Sequence, residues 1–123
     1  MTDNAVKRVY ISGPMTGLPE HNRPAFEAAR DSLAALGYEV LSPTDAPECD
    51  SWEAYMRWDI RLLMTADLVA MLPDWHLSRG ARIERYLADG IGIPVYKLST
   101  VLKLSTVGGG IWRDGPMARA GEK

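Results

Sequence analysis

Val6-Lys7-Arg8-Val9-Tyr10-Ile11-Ser12, followed by Gly13-Pro14-Met15-Thr16-Gly17, is the stretch on which the fold turns. Its first seven residues form a short apolar segment centred on Val9-Tyr10-Ile11, β-branched and aromatic types that favour a strand. The next five hold two glycines and a proline, which stop a strand in a loop. Asn22 then reads as an N-cap, with Pro24 tolerated in the first turn. Phe26, Ala29, Leu33 and Leu36 recur at helical spacing, and Gly37 ends the helix.

The same alternation continues outward. Tyr38–Leu41 reads as a second strand and Ser42–Asp50 as a loop rich in proline and acid. Asp50 and Glu53 stand at capping-box spacing, with Asp in place of the usual Ser or Thr, ahead of a helix reaching about Ala66. Asp67–Leu72 is a third strand, stopped by Pro73. Ser78 to about Asp89 is a third helix, closed by Gly90 and Gly92, and Ile93–Leu98 a fourth strand. The expected strands lie near 7–12, 38–42, 67–72 and 93–98, and the helices near 23–36, 51–65 and 79–90. A β-α-β-α-β-α-β order predicts an α/β fold: a parallel sheet with helices on both faces. Strands that are apolar without strict alternation fit burial on both sides. Val101–Val107 reads as a fifth strand, so the sheet is expected to have four to five. Gly108-Gly109-Gly110 breaks the pattern. The expected division is one domain over 1–107 and a flexible tail over 108–123, with Trp112 the tail residue that calls for burial.

Length and composition fit this picture. A chain of 123 residues is one domain at roughly 100–200 residues each. The single Cys49 rules out an internal disulfide framework and a multi-cysteine zinc site. Fourteen Lys plus Arg against sixteen Asp plus Glu leave a formal charge of −2, which gives no general attraction to a nucleic acid polymer or an anionic membrane. No apolar run approaches the roughly 20 residues that cross a bilayer, and the N-terminal apolar stretch is too short for a secretory signal. The expectation is a soluble cytoplasmic protein with a small-molecule partner.

In open parallel sheets ligands bind beyond the carboxyl ends of the strands. The segments expected there are Gly13–Gly17, Ser42–Asp50, Leu72–Gly80 and the loop after Leu98. Gly13 and Gly17 would let a ligand approach the backbone. Neither the dinucleotide fingerprint nor a P-loop is present in this loop. At about 100° per residue, Trp52, Tyr55, Met56, Leu62, Leu63 and Ala66 share one arc of their helix, with Asp59 near its middle. Glu84 falls on the inward arc of the next helix with Gly80, Ile83, Leu87, Ala88 and Ile91. An inward acid is costly unless it is paired or used, and two on consecutive helices weigh more than one. Gly80 and Ala81 are small enough for close approach of the helix to the sheet or to a ligand. Asp67 begins a strand and reads as a joint at the opposite end. His21 and His76 read as loop histidines, and Cys49 has no adjacent base.

The ordered set Tyr10-Ile11-Ser12-Gly13-Pro14, Asp59 with Ala66-Asp67 beyond it, and Ser78-x-Gly80-Ala81-x-x-Glu84 resembles the nucleoside 2-deoxyribosyltransferase superfamily, which includes 2′-deoxynucleoside 5′-monophosphate N-glycosidases. Within it the chain is most similar to short, often phage-borne proteins that open with YISGPMTG. The resemblance covers about residues 8–98. It implies a Rossmann- or flavodoxin-like sheet, Glu84 as nucleophile on the sugar C1′, Tyr10 orienting that carboxylate, and Asp59 contacting sugar or base. It implies a substrate-binding rim of Gly13, Pro14, Met15, Gly17, Ser78, Gly80 and Ala81. Ser78 matches the nucleotide hydrolases, which use a serine there for the 5′-phosphate. Pro14-Met15-Thr16 departs from their phosphate clamp and is closer to the transferases. Relatives are dimers or higher oligomers, so a homo-oligomer is implied.

The implied chemistry is cleavage of an N-glycosidic bond or base exchange on a nucleoside or nucleoside 5′-monophosphate. A carboxylate beside C1′ stabilises a cationic sugar and then bonds to it, by analogy with retaining glycosidases. That chemistry needs no cofactor or metal. A non-catalytic protein that binds a nucleotide-like ligand is the other reading. Ser78, with Arg79 or Arg82, is the expected anion site at the start of its helix. Trp58 and Met64, off the inward arc, are the expected interface residues together with Trp112.

Overall fold

The computed structural model describes residues 6–108, with side chains through 105. Four strands, β1 (Arg8–Ser12), β2 (Glu39–Leu41), β3 (Leu68–Met71) and β4 (Val95–Lys97), alternate with α1 (Arg23–Ala35), α2 (Trp52–Leu63), α3 (Arg79–Gly90) and a final α4 (Leu98–Gly108). All pairings are parallel and the order is β2-β1-β3-β4. The sheet is as expected. The fifth strand is not: Val101–Val107 lies within α4, which presents the buried Val101 to the core beside α1 and ties Ser105 to the Tyr38 hydroxyl. β-branched and leucine residues serve a buried helix as well as a strand, and a seven-residue stretch is too short for its period to separate the two. Residues 109–123, with Trp112, lie outside the described residues.

Alternation along β1 sorts the core into two halves. Val9 and Ile11 face α1 and α4, where Phe26, Ala29, Leu33 and Val101 close over them. Tyr10 faces α2 and α3, packed among Leu63, Ala66, Ala81 and Ala88. Ser12, two residues on, shares the side of Tyr10. Because β1 connects toward β2 and β3 toward β4, the chain departs in opposite directions from β1 and β3. Their carboxyl ends therefore flank a crevice, the position where open α/β sheets take ligands.

Local chemistry sets the helix starts. Ser78 Oγ accepts from the Ala81 amide at 3.1 Å and caps α3. Ser51, not Asp50, caps α2, accepting from the Ala54 amide at 3.0 Å. Asn22 stands at the start of α1 but makes no cap bond; its side chain donates to the Pro14 carbonyl at 3.0 Å. At the opposite end of the sheet, Asp67 Oδ2 accepts from the amides of Lys7 and Arg8, each at 3.0 Å, fastening β1 to the start of β3.

Candidate functional site

Glu84 sits on the second turn of α3, 4% exposed, at the floor of the crevice. Tyr10 donates its hydroxyl to Glu84 Oε2 at 2.9 Å, and Ser12 Oγ donates to Oε1 at 2.6 Å. Both donors stand on one face of one rigid central strand, so the carboxylate is held in a fixed orientation. Burial raises the Glu84 pKa to about 7, against the opposing pull of the Ser12 and Tyr10 hydroxyls. Tyr10 itself is fully buried, and burial together with the facing acids raises its pKa well above the ordinary value.

Asp59 comes from α2, 7% exposed. Among the described residues its buried Oδ1 has no hydrogen-bond partner. Burial, then the charge of Glu84, raises its pKa to about 8. Both carboxyls are thus raised toward neutral pH, Asp59 with no donor on its Oδ1 among the described residues and Glu84 with two. Two carboxyls in such different environments can divide the work of acid and nucleophile.

Both acids line a cavity of about 440 Å³, together with Gly13, Met15, Thr16, Ser78, Gly80 and Ala81. Trp52, Tyr55 and Met56 of α2 add its apolar wall; Glu20, His21, Arg23 and Thr44 add polar groups. The volume is in the range of small-molecule sites, and aromatic walls with a few placed polar groups suit a flat, polar-edged ligand. A second cleft of about 900 Å³ shares Met15, Thr16, Trp52, Ser78 and Gly80 with the first.

The expected site residues are distributed as follows. Asp59, Glu84, Gly13, Met15, Ser78, Gly80 and Ala81 meet at the cavity. Tyr10 does not line it; it supports Glu84 from beneath. Pro14 lines the second cleft, and Gly17 lines neither. The glycines serve packing: a Cβ on Gly13 would come within 2.7 Å of Leu72 Cβ, and one on Gly80 within 3.0 Å of Met56 Sδ. The expected anion site is partly consumed. Ser78 spends an acceptor on the Ala81 amide, Arg82 donates to the His76 carbonyl at 2.9 Å, and the Arg79 guanidinium lies 4.4 Å over the Trp52 ring. Ser12, Thr44, His21 and Arg23 were not expected. Ser12 was legible as the residue two beyond Tyr10 on the same strand face; the other three come together only through the fold.

Among the described residues no group of three or more His, Cys, Asp or Glu is arranged to hold a metal ion, and no helix is long and apolar enough to cross a membrane. Met64 is 44% exposed, whereas Trp58 is half-buried.

Comparison with known proteins adds three findings. A family described as "Domain of unknown function (DUF4406)" matches residues 7–97. A 2-deoxyribosyltransferase from the psychrotolerant bacterium Bacillus psychrosaccharolyticus, characterised as a biocatalyst for nucleoside synthesis, has a similar structure, with a TM-score of 0.58 and 22% identity over 73% of this chain and 70% of that one. A conserved protein from Enterococcus faecalis V583 is similar at a TM-score of 0.57 and 22% identity, over 76% of this chain and 63% of that one. At that identity the likeness establishes a shared fold. No curated protein matches the chain.

Proposed function

The chain belongs to the family described as a domain of unknown function, DUF4406, and we propose that it cleaves, or exchanges the base across, the N-glycosidic bond of a nucleoside or nucleoside 5′-monophosphate. The observation that carries this reading is Glu84: a buried carboxylate held by two hydroxyls, with Asp59 in the same cavity, its Oδ1 without a partner among the described residues. The shared fold with a 2-deoxyribosyltransferase supports it.

In the proposed reaction, Glu84 attacks C1′ as the bond from C1′ to the base nitrogen breaks. The electrons of that bond leave with the base, which takes the Asp59 proton. Charge on Glu84 falls as the glycosyl ester forms, so the Tyr10 and Ser12 bonds weaken and then recover when the ester breaks. They keep the carboxylate a competent leaving group in the second step. There a water attacks C1′, gives its proton to the Asp59 carboxylate, and Glu84 departs. A second base in place of water gives exchange. A 5′-phosphate would meet Ser78, whose hydroxyl hydrogen is still free to donate, with Arg79 beside it.

The test is incubation with a panel of nucleosides and 5′-monophosphates, with free base measured by chromatography. Base release that disappears in Glu84→Gln is the expected result. Ligand binding without release from any member of the panel overturns the catalytic reading in favour of a binding protein.

A further inference from the structure

The strap that leads into α1 carries three left-handed residues in succession. Glu20, His21 and Asn22 stand at φ 53°, 54° and 62°, a conformation that a Cβ disfavours. The strap is tied down: the Leu18 amide donates to the Met15 carbonyl at 3.2 Å, His21 to Leu18 at 2.9 Å, and the Asn22 side chain to Pro14 at 3.0 Å. Asn22 is consumed in holding it. Glu20 and His21 are not: their side chains have no hydrogen-bond or ion-pair partner among the described residues, yet both line the cavity that contains Glu84 and Asp59. Strained backbone that brings unpartnered polar side chains to a cavity points to a ligand.

We propose that Glu20 and His21 read the hydrogen-bonding edge of the leaving base, and that Glu20 selects bases bearing an exocyclic amino group. This rests on the N-glycosidic reading above. Both residues are exposed at the mouth, whereas Glu84 lies at the buried floor. A substrate with C1′ at Glu84 would present to them its outer parts, the outer edge of the base or the 5′ end. The negative charge of Glu20 opposes a 5′-phosphate, which leaves the base. A carboxylate offers acceptors only. It accepts from an amino group, as acidic side chains do from N4 of cytosine, and faces a keto oxygen as acceptor against acceptor. His21, which can donate or accept, suits the neighbouring ring nitrogen. Arg23, next along the chain, is engaged by Glu27 at 3.6 Å and the Thr44 carbonyl at 3.4 Å.

The experiment compares kcat/KM for cytosine against uracil and adenine against hypoxanthine, as nucleosides and as 5′-monophosphates, in the wild type, Glu20→Gln and Glu20→Ala. The wild type should favour the amino member of each pair by about 10-fold or more, the scale of one specific base contact. Both variants should reduce that ratio to roughly 3-fold or less. A ratio unchanged by either variant, or a wild type that favours the keto bases, overturns the inference. Calorimetric binding of the same ligands to Glu84→Gln gives a second readout that needs no turnover. If no base is released from any ligand, the proposed reaction fails, while a binding preference for amino bases that is lost on adding Glu20→Ala still supports the strap's role. Absence of that preference in binding overturns it.

Discussion

Asp67 and the pair Asp59–Glu84 occupy opposite ends of one sheet and solve opposite problems. Asp67 accepts two backbone amides that cannot move, and so joins β1 to β3. Among the described residues Asp59 has an oxygen with no partner and Glu84 is held by two hydroxyls, groups that can follow a change of charge. A carboxylate that secures a fold is saturated by fixed donors. One that is to change its charge or bonding must be left partly unsatisfied, at some cost in stability.

The largest expected effect is that of Glu84→Gln. It keeps shape and most hydrogen bonding but removes the nucleophile, so base release should fall by about 10³-fold or more in a chromatographic assay, with the circular dichroism spectrum unchanged. Next, Asp59→Asn should lower kcat/KM by roughly 10²-fold through loss of a proton donor. It should also remove the alkaline limb of the pH profile, which in the wild type lies near the Asp59 pKa of about 8.

The same substitution changes stability with a definite sign. Native Asp59 keeps its proton up to about pH 8, while the unfolded chain sheds it near pH 4, so the native state binds more protons between these limits. Stability therefore falls as pH rises through that window, and Glu84, raised to about 7, adds to the slope. Urea titrations at pH 5 and pH 8 should show the wild type losing stability and Asp59→Asn losing less. Equal losses would place no burden on Asp59.

Asp67→Ala should act in the reverse manner. Two amide bonds to a carboxylate are lost, worth about 2 kcal/mol in a urea titration, and the pH profile of catalysis should stay where it is. A shift of that profile would mean that the two ends of the sheet are not independent. The smallest effect is expected at the strap. Glu20→Gly relieves a left-handed residue and should raise stability by about 0.5 kcal/mol, less than the full steric gain because glycine also loosens the unfolded chain. A loss of stability there would show that Glu20 is structural after all.

Much of this is legible in the sequence. The β-α alternation follows from apolar period and punctuation by Gly13, Gly37 and Pro73, and the inward direction of Asp59 and Glu84 follows from helical spacing. Failures occurred where neighbouring residues offer the same chemistry or where period is too short to decide. Asp50 and Ser51 are both good caps, and only the backbone selects Ser51. The Val101–Val107 stretch fits a strand or a buried helix equally. Ser12 reads as the last residue of its strand, and only the fold shows that its place two beyond Tyr10 puts it on the same acid. His21 and Arg23 reach the cavity from the entry to α1 and Thr44 from the loop after β2, and no local pattern reports such a meeting.

The hydroxyls of Tyr10 and Ser12 and the core residues Val9 and Ile11 interleave on one strand, so the proposed reactive centre and the hydrophobic interior share a single reading frame. An insertion or deletion within Arg8–Ser12 would exchange the two faces, aiming methyl groups at Glu84 and burying a phenol among Phe26 and Leu33. No sequence change of that kind can inactivate the site while leaving the fold intact, or the reverse. A change of length is costly within β1 and better borne by the strap before α1, where a residue added or lost leaves the parity of the strand unchanged. On the proposed reading, what the site recognises can change with the strap more readily than how it reacts.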